Sequence, residues 1–317
     1  MRIIPRRLSP GDTIGLVAPS SPPPDLTAID KSIAYFERRG FKVKLGRHAR
    51  NRWGFLAGHD RERAGDLMRM FADPKVDAVV CIRGGYGAAR ILPLLDFTVI
   101  RRNPKLLIGF SDITNLHCAL LKHCGLVTLQ GPMTAHQLIQ KDYPKFSHDA
   151  FWRIITEPKP AGGICQGYPL KTVSVLRPGK AAGELIGGNL TVLSHLIGTP
   201  FEPSFRGKIL LLEDVDEAPY RIDRLLTHLL NAGILQQVRG IAVGVCKNCD
   251  APRPKGRREY RQSLDDVLRE RLSSLKIPVV IGLPFGHADH NVTLPIGGRA
   301  LLDGDRGDLI ITHAAVQ

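Results

Sequence analysis

The sequence predicts an α/β protein whose first half forms an open, parallel, doubly wound sheet and whose second half is richer in β-structure. Up to residue 125, short apolar β-type runs alternate with helical segments of roughly 10–15 residues, an order typical of parallel βαβ units. After residue 183 most apolar runs are strand-like. The length of 317 residues exceeds the usual ~100–200 residues of one domain and favours two.

The first half contains predicted strands that are each followed by a predicted helix. The strands are TIGLVAP, FKVKLG, VDAVVCI and KLLIGF. The helices are TAIDKSIAYFERRG, ERAGDLMRMFAD, GAARILPLLD and DITNLHCALLKHCG. Because ligands of such sheets bind beyond the carboxyl ends of the strands, functional side chains are expected there.

A segment rich in Pro, Gly and basic residues, 158–182, is predicted to be a linker between domains at 1–157 and 183–317. The second domain opens with GELIGGNLTVLSHLIG and contains two further predicted helices, PYRIDRLLTHLLNAG and LDDVLRERLSSL. Its predicted strands are KILLLE, GIAVGVC, PVVIGLP, NVTLPIG and DLIITH.

Composition indicates an ordinary globular protein, with 43% hydrophobic and 23% charged residues. Pro5, Pro10 and Asp12 interrupt any apolar targeting segment, and no run approaches the ~18 apolar residues of a membrane span, so a cytoplasmic protein without membrane contact is expected. The net charge of +14 is dispersed along the chain. Its densest patch, 253–261, comes without a nucleic-acid-binding motif, so no nucleic-acid partner is expected.

Of the six cysteines, only Cys246 and Cys249 form a CxxC motif. A four-cysteine zinc site needs a second pair, and a thioredoxin-like motif should open a helix after a strand. Because neither pattern is present, the pair is interpreted as structural or incidental in a loop.

Ser111 lies between the predicted strand KLLIGF and the helix that follows it. A strand–Ser–helix turn exposes a hydroxyl where backbone N–H groups of the new helix can stabilise an oxyanion. Ile113 stands where the GxSxG nucleophile elbow has its second glycine. The residues alone leave two roles open for Ser111, a nucleophile and a helix N-cap.

Four acidic residues follow the strand KILLLE and precede a predicted helix. They are Glu213, Asp214, Asp216 and Glu217. One carboxylate at a strand end can orient a catalytic base, and carboxylates also complement a helix N-terminus. A glycosidase needs carboxyls ~5–9.5 Å apart across a sugar, which neighbours along one strand end do not readily supply. Physical reasoning from the sequence does not rank the four.

Two histidines, His287 and His290, lie in GLPFGHADHNVTLPIG. The ring of His287 is not crowded by its small neighbours, Gly286 and Ala288. A loop histidine can be plain polar surface, the base that activates a nucleophile or, with His290 and a carboxylate, a zinc ligand. No HExxH-like spacing supports the zinc alternative.

The segment RGGYGAAR, residues 83–90, predicts a glycine-rich turn between a strand and a helix. A phosphate-binding Rossmann turn would look similar, but Arg90 occupies the position of the third fingerprint glycine. The same glycines suit an oxyanion hole, because they let backbone amides approach a ligand, and they equally suit a tight turn.

Together these segments resemble the LD-carboxypeptidase family, serine peptidases that include muramoyltetrapeptide carboxypeptidase and the microcin C immunity protein. The resemblance extends over nearly the whole chain. Its blocks are GDTIGLVAPSSP, FLAGHDRERAGDL, RGGYGAARILPLLD, GFSDITNLH, GELIGGNLTVLSHLIGTP, LLLEDVDEAPYRIDRLLTHL and GLPFGHADHNVTLPIG. The resemblance implies a flavodoxin-like N-terminal domain with a parallel sheet and a β-rich, swivelling-barrel-like C-terminal domain.

The resemblance also implies a catalytic triad of Ser111 in GFSD, Glu213 in LLLED and His287 in FGH. Backbone N–H groups of Gly85 and Asp112 would form the oxyanion hole. The nucleophile would then come from the first domain, and the base and its carboxylate from the second. No cofactor and no metal are implied.

The family's usual substrate is a cell-wall tetrapeptide, from which the terminal D-alanine is removed at an L,D bond during murein recycling. Arg83 and Tyr86, beside the glycine turn, are the candidate substrate-binding residues, Arg83 as a partner for a substrate carboxylate. Members are commonly homodimers. Two alternatives stay open, namely hydrolysis of aminoacyl-nucleotide conjugates, as in the microcin-immunity branch, and non-catalytic binding of anionic ligands.

Overall fold

A computed structural model describes residues 2–168, 172–250 and 262–317, so the basic patch 253–261 lies outside the described residues. The strands are β1 (Thr13–Val17), β2 (Lys42–Leu45), β3 (Ala78–Cys81), β4 (Leu106–Gly109), β5 (Thr128–Gln130), β6 (Gly162–Gly163), β7 (Ser174–Arg177), β8 (Lys180–Asn189), β9 (Ile209–Glu213), β10 (Gly240–Val245), β11 (Val279–Gly286), β12 (Leu294–Ile296), β13 (Arg299–Asp303) and β14 (Asp308–Ile311). The α-helices are α1 (Thr27–Glu37), α2 (Asp60–Ala72), α3 (Ala88–Ile91), α4 (Phe97–Arg102), α5 (Thr114–His123), α6 (Lys145–Thr156), α7 (Leu190–Ser194), α8 (Pro219–Asn231) and α9 (Leu264–Leu272).

The first sheet has the order β2-β1-β3-β4-β5-β12. Strands β1 to β5 are parallel, and β12 joins the edge antiparallel to β5. The predicted alternation of strands and helices is therefore confirmed, in the strand order of a flavodoxin-like fold. All residues of β3 and β4 are buried, as expected for parallel strands covered by helices on both faces.

The second sheet has eight strands in the order β6-β14-β13-β8-β9-β10-β11-β7. Its centre, β8 to β11, is parallel, whereas β13 pairs antiparallel with β8, and β7 antiparallel with β11. The β-rich character predicted for the second half is confirmed. The segment 158–182, predicted to be a linker, contains β6, β7 and the first residues of β8.

The helices are short and amphipathic. The one-sided burial of α8 is typical, because Ile222, Leu226 and Leu229 are buried at helical spacing while most of its other positions are not. Among the described residues, no helix combines the length and apolarity needed to cross a membrane.

Several elements differ from the sequence prediction. The segment GAARILPLLD forms only the single turn α3 and a 3-10 turn at Leu92–Leu94, because Pro93 has no N–H to continue an α-helix. A second 3-10 turn, Ser111–Ile113, precedes α5, and a π turn spans Thr134–Leu138. Strands β5 to β8 and β13 and helices α4 and α6 were not predicted.

The two sheets meet at the carboxyl ends of their strands. The backbone N–H of Asn189, at the end of β8, donates to Thr114 Oγ1 at the start of α5, 3.1 Å away. A Cβ at Gly188 would lie 2.5 Å from Thr114 Oγ1, so only glycine permits this approach. Strand β12, from the second half of the chain, completes the first sheet. The functional groups at these strand ends are thereby brought to one place.

Candidate active site

The turn that carries Ser111 has an unusual backbone. Strand β4 ends at Gly109, and Ser111 then adopts a φ of 64°, in the left-handed region that few non-glycine residues enter. Such a conformation costs about 1–3 kcal/mol and is typical of functional turns. The N-cap residue of the 3-10 turn at Ser111–Ile113 is Phe110 and that of helix α5 is Ile113, so Ser111 caps neither. The N-cap role that the sequence left open for Ser111 is therefore excluded.

The side chain of Asp112 ties this turn to its neighbours. Its Oδ2 accepts hydrogen bonds from Ser20 Oγ at 2.6 Å and from the backbone N–H of Ala88 at 2.7 Å, and its Oδ1 accepts from Asn115 Nδ2 at 3.0 Å. Ser20 follows β1 and Ala88 opens the helix after β3, so one carboxylate joins the carboxyl ends of three parallel strands. Burial raises the pKa of Asp112, although these hydrogen bonds oppose the shift.

The glycine-rich turn packs directly on Ser111. A Cβ at Gly84 would lie 3.2 Å from Ser111 Cβ, and one at Gly85 would lie 2.5 Å from Ser21 Oγ. Gly85 has a φ of 98°, which a residue with a Cβ rarely adopts. Ser21 fixes the turn because its N–H donates to the Gly84 carbonyl at 3.1 Å and its Oγ accepts from the Tyr86 N–H at 3.1 Å.

A buried arginine forms hydrogen bonds with the same loops. Arg63, on α2, is 1% exposed and donates from Nη1 to the carbonyl oxygens of Pro19 and Gly87, the latter at 2.9 Å. Its Nη2 pairs with Asp60. The guanidinium thus satisfies carbonyl groups of the β1 and β3 loops that would otherwise be buried without partners.

Glu213 and His287 form a hydrogen-bonded pair across the second sheet. His287 Nδ1 and Glu213 Oε2 are 2.6 Å apart, and the backbone N–H of His287 donates to the same oxygen at 3.2 Å. Glu213 ends β9 and is fully buried, while the His287 side chain, just after β11, is 15% exposed. A Cβ at Gly286 would lie 2.7 Å from Glu213 Cβ, so glycine is required beside the pair.

The carboxylate controls the charge state of the imidazole. Burial lowers the pKa of His287, but the charge and hydrogen bond of Glu213, with smaller contributions from Asp214 and Asp216, raise it above its ordinary value. Because Nδ1 is engaged by Glu213, the Nε2 atom is the one left to exchange a proton with a substrate or nucleophile.

The other acidic residues of the run have different partners. Asp214 accepts hydrogen bonds from Asn189 Nδ2 and Thr191 Oγ1, each at 2.9 Å. Asp216 accepts from Asn248, and Glu217 pairs with Arg221 on α8 at 3.2 Å. Glu213 is therefore the member of the run that faces the imidazole, a choice that reasoning from the residues alone did not make.

The serine turn and the Glu213–His287 pair lie side by side. The rings of Phe110, which directly precedes Ser111, and His287 have centroids 4.9 Å apart. The two sheets thus contribute to one site, with the serine turn from the first and the acid–base pair from the second. Such a grouping can perform nucleophilic chemistry on a carbonyl.

The remaining sequence candidates lie around this grouping. Tyr86 is exposed on the glycine turn and packs edge-to-face with Phe55, with centroids 5.5 Å apart. Arg83 Nη1 donates to the Pro22 carbonyl at 2.6 Å. His290 contacts the rings of Phe146 and Tyr168 instead of the Glu213–His287 pair. Within the described parts of the chain, no three His, Cys, Asp or Glu side chains are grouped to hold a metal.

Family models match both halves of the chain. The LD-carboxypeptidase N-terminal domain matches residues 14–131, and the LD-carboxypeptidase C-terminal domain matches residues 182–302. This chain belongs to the LD-carboxypeptidase family. The resemblance drawn from the sequence motifs is thereby confirmed.

Relatives of this chain align over almost its full length. It is 40% identical over 299 residues to the probable murein peptide carboxypeptidase of Bacillus subtilis, covering 94% of this chain and 91% of that protein. It is 29% identical over 335 residues to the microcin C7 self-immunity protein MccF of Escherichia coli, covering 96% and 94%. The crystal structure of muramoyltetrapeptide carboxypeptidase from Oxalobacter formigenes superposes with a TM-score of 0.80 at 33% identity, covering 95% of this chain and 99% of that one.

Sequence reasoning missed several residues that hold this candidate site together. Neither the carboxylate of Asp112 nor the guanidinium of Arg63 was identified as an organising group. Gly286 was noted only as a small neighbour of His287. The sequence does contain a pattern that could have identified Ser20. Ser20 and Ser21 directly follow a predicted strand, where their hydroxyls can form hydrogen bonds with neighbouring loops at that edge of the sheet.

Proposed function

We propose that this chain is a serine carboxypeptidase in which Ser111, His287 and Glu213 act as nucleophile, base and orienting carboxylate. The observation that carries the proposal is the 2.6 Å contact between His287 Nδ1 and Glu213 Oε2, beside a serine held in left-handed backbone. A hydrogen-bonded carboxylate fixes the tautomer of an imidazole so that its Nε2 can take a proton from a serine hydroxyl.

In the proposed mechanism Ser111 Oγ attacks the carbonyl carbon of the scissile bond and passes its proton to His287 Nε2. The imidazolium then protonates the departing amine, and a water molecule repeats the sequence to release the acyl group. Backbone N–H groups of Gly85 and Asp112 would bind the oxyanion, each worth about 2.7–4 kcal/mol in the transition state. Support for these donors comes from the packing of the glycine turn on Ser111.

The proposed substrate is a murein tetrapeptide, and the product is its terminal D-alanine. The names of relatives in Bacillus subtilis and Oxalobacter formigenes support this choice. A murein peptide carries several carboxylates, which suits a chain with a net charge of +14. Arg83 and Tyr86, both beside the exposed turn, would contact the peptide, with Arg83 pairing a carboxylate.

The direct test is the release of D-alanine from a murein tetrapeptide, measured by mass spectrometry for the natural chain and for Ser111→Ala. Loss of the nucleophile is expected to lower kcat by about 10⁶-fold, as in other serine peptidases. A tetrapeptide ending in L-alanine is the matched substrate control and should be left intact. Equal hydrolysis by a correctly folded Ser111→Ala variant would remove serine from the mechanism, and no hydrolysis by the natural chain would contradict the proposed substrate.

A second candidate function is hydrolysis of an aminoacyl-nucleotide conjugate. It is favoured by the 29% identity to the microcin C7 self-immunity protein over 96% of this chain. Incubating the enzyme with both substrate types in parallel separates the two. Cleavage of the nucleotide conjugate without any D-alanine release would select the second function.

We propose that the protein is cytoplasmic and that it forms a homodimer. All six cysteines are free thiols, which suits a reducing compartment. Cell fractionation and light scattering during size-exclusion chromatography measure the two properties. A monomer at micromolar concentration, or the protein in the membrane fraction, would contradict the proposal.

A further inference from the structure

The CxxC motif lies beside the candidate active site in a tight turn. Cys246 directly follows β10, and the backbone N–H of Cys249 donates to the Cys246 carbonyl at 3.4 Å. Asn248 takes a φ of 58° inside this four-residue turn. The ends of a β-turn have Cα atoms less than about 7 Å apart, which overlaps the ~4.4–6.8 Å that a disulfide requires.

The two thiols interact with each other. The pKa of Cys249 is lowered by the neighbouring Cys246 side chain and, against the opposing effect of burial, by the backbone N–H of Glu217. The same contact raises the pKa of Cys246, and burial adds to that shift. The Cys249 thiol donates to the Lys247 carbonyl oxygen at 3.5 Å. The turn therefore brings together two thiols of unlike pKa, as in other Cys-X-X-Cys motifs in which one pKa is lowered.

The other cysteines behave differently. Burial raises the pKa of Cys118 to about 12 and that of Cys124 to about 11, and it raises the pKa of Cys81 and Cys165 further. All four of these thiols are buried, which keeps a reagent away from them. Cys249 differs from them in that its pKa is lowered.

The turn is bonded to the loop that follows Glu213. Lys247 N–H donates to the Asp214 carbonyl at 3.0 Å, and Asp216 N–H donates to the Lys247 carbonyl at 2.9 Å. Asn248 Nδ2 donates to Asp216 Oδ1 at 2.9 Å. Any movement of the turn is therefore passed to residues that directly follow the carboxylate of the Glu213–His287 pair.

The same turn reaches the loop that follows His287. Lys247 Nζ and Asp289 Oδ1 are 3.3 Å apart. Cys246 is partly exposed and lines a cavity of about 510 Å³ together with Ala288, Asp289 and His290. The CxxC turn therefore contacts both the segment that follows His287 and the segment that follows Glu213.

We propose that Cys246 and Cys249 form a reversible disulfide that slows the enzyme. The chemical step is thiol–disulfide exchange with a small disulfide of the glutathione class. Cys246, the partly exposed member, forms a mixed disulfide and releases one thiol; Cys249 then attacks the Cys246 sulfur and releases the second thiol. The pair loses two electrons and two protons, and the reagent takes up both to give two thiols.

The expected decrease in kcat follows from the geometry of the disulfide, and it rests on the proposed function. A disulfide fixes its two sulfur atoms about 2.05 Å apart with a dihedral angle of about ±90°, so the turn must adjust to that geometry. A misplacement of about 1 Å can cost about 10²-fold in rate, so a shift of a few tenths of an ångström passed to Glu213 or His287 should lower kcat by about three- to tenfold.

The experiment equilibrates the full chain in glutathione buffers of stepped thiol-to-disulfide ratio. Mass spectrometry is expected to show the loss of two hydrogens and a peptide linked through Cys246 and Cys249, reversed by added thiol. Over the same steps, kcat for D-alanine release should fall by about three- to tenfold. The NMR titration of the His287 imidazole should shift as well, a readout that does not depend on any substrate.

Matched variants separate the outcomes. Cys246→Ser and Cys249→Ser should each abolish the response to oxidation, whereas Cys165→Ser, whose thiol is buried elsewhere, should keep it. No disulfide at this position, or a disulfide that changes neither kcat nor the His287 titration, would overturn the proposal. If the enzyme releases no D-alanine even when reduced, the proposed function fails, while linkage and titration still decide the disulfide.

Discussion

The two parts of the site are held by different means. The Ser111 turn lies in a dense network in which the Asp112 carboxylate, the glycine turn and Arg63 fix one another through several buried hydrogen bonds. The Glu213–His287 pair joins residues 74 positions apart through a single carboxylate oxygen. The second oxygen, Oε1, has no hydrogen-bond partner among the described residues.

This difference has an energetic consequence. A turn held by several hydrogen bonds can lose one, at about 0.5–1.5 kcal/mol, and keep its geometry. A pair held through one oxygen loses its alignment when that oxygen is changed. We therefore expect activity to be more sensitive to substitutions at the pair than to substitutions in the network around Ser111.

The largest effect within this comparison is expected for Glu213→Gln. The change keeps the volume of the side chain but removes the charge that orients the imidazole, so kcat should fall by about 10⁴-fold. Because Glu213 raises the pKa of His287, the variant should also move the acid limb of the kcat/KM profile to lower pH. Steady-state D-alanine release between pH 5 and pH 9, roughly the range in which histidine titrates, measures both.

The sign of this pH effect follows from the role proposed for His287. As the proposed base, His287 must be neutral to accept a proton, so activity of the natural chain should be lost as pH falls through a pKa raised above the ordinary histidine value of 6.5. Glu217→Gln is the matched control, since Glu217 pairs with Arg221 and not with the imidazole. An identical acid limb in the natural enzyme and Glu213→Gln would contradict the assigned pairing.

The same contrast explains what the sequence could and could not predict. Strands β1, β3 and β4 and helix α5 have local apolar periods, so the first sheet and the place of Ser111 at a strand end were predictable. Helix α6 was missed although Phe151, Ile154 and Ile155 carry a readable helical spacing. Local apolar periods were therefore sufficient to predict these strands and helix α5, and the period of α6 would have sufficed had it been recognised.

Long-range features were not predictable from local patterns. The position of β12 in the first sheet depends on its pairing with β5, more than 150 residues earlier in the chain. The choice of Glu213 depends on β11 lying close enough for His287 to reach it, and no period within EDVDE contains that information. The choice came from the family resemblance, and the structure supplies its physical reason.

A smaller effect is expected for Gly286→Ala, which acts on the pair without changing either member. Its new Cβ would lie 2.7 Å from Glu213 Cβ and Oε2, so Glu213 must move by roughly half an ångström or more, which should lower kcat roughly 10–100-fold. Gly179→Ala is the matched control, because it places an alanine at a similar φ of 110° with nothing within 4 Å. Equal losses in both variants would assign the effect to backbone strain and not to the pair.

The smallest effect is expected for Asp112→Asn, in the redundant half of the site. The amide retains an acceptor oxygen for Ser20 or the Ala88 N–H and stays close to Asn115, so kcat should fall only about three- to tenfold. An activity loss as large as that of Glu213→Gln would show that the network around Ser111 is no more tolerant than the pair.

The free energy of unfolding provides a second measure of Asp112→Asn. The direction in which it changes with pH is set by the burial of Asp112. The pKa of Asp112 is raised in the folded chain, so its contribution to stability is full below the unfolded value of 3.8 and is lost as pH rises through the folded pKa. The amide that replaces the carboxyl group in the variant does not titrate. The difference in unfolding free energy between the natural chain and Asp112→Asn should therefore be largest in acid and should narrow as pH rises, as measured by urea unfolding at stepped pH. A gap that widens toward neutral pH would mean that hydrogen bonds to the ionised carboxylate outweigh its desolvation, and that the turn is held by charge.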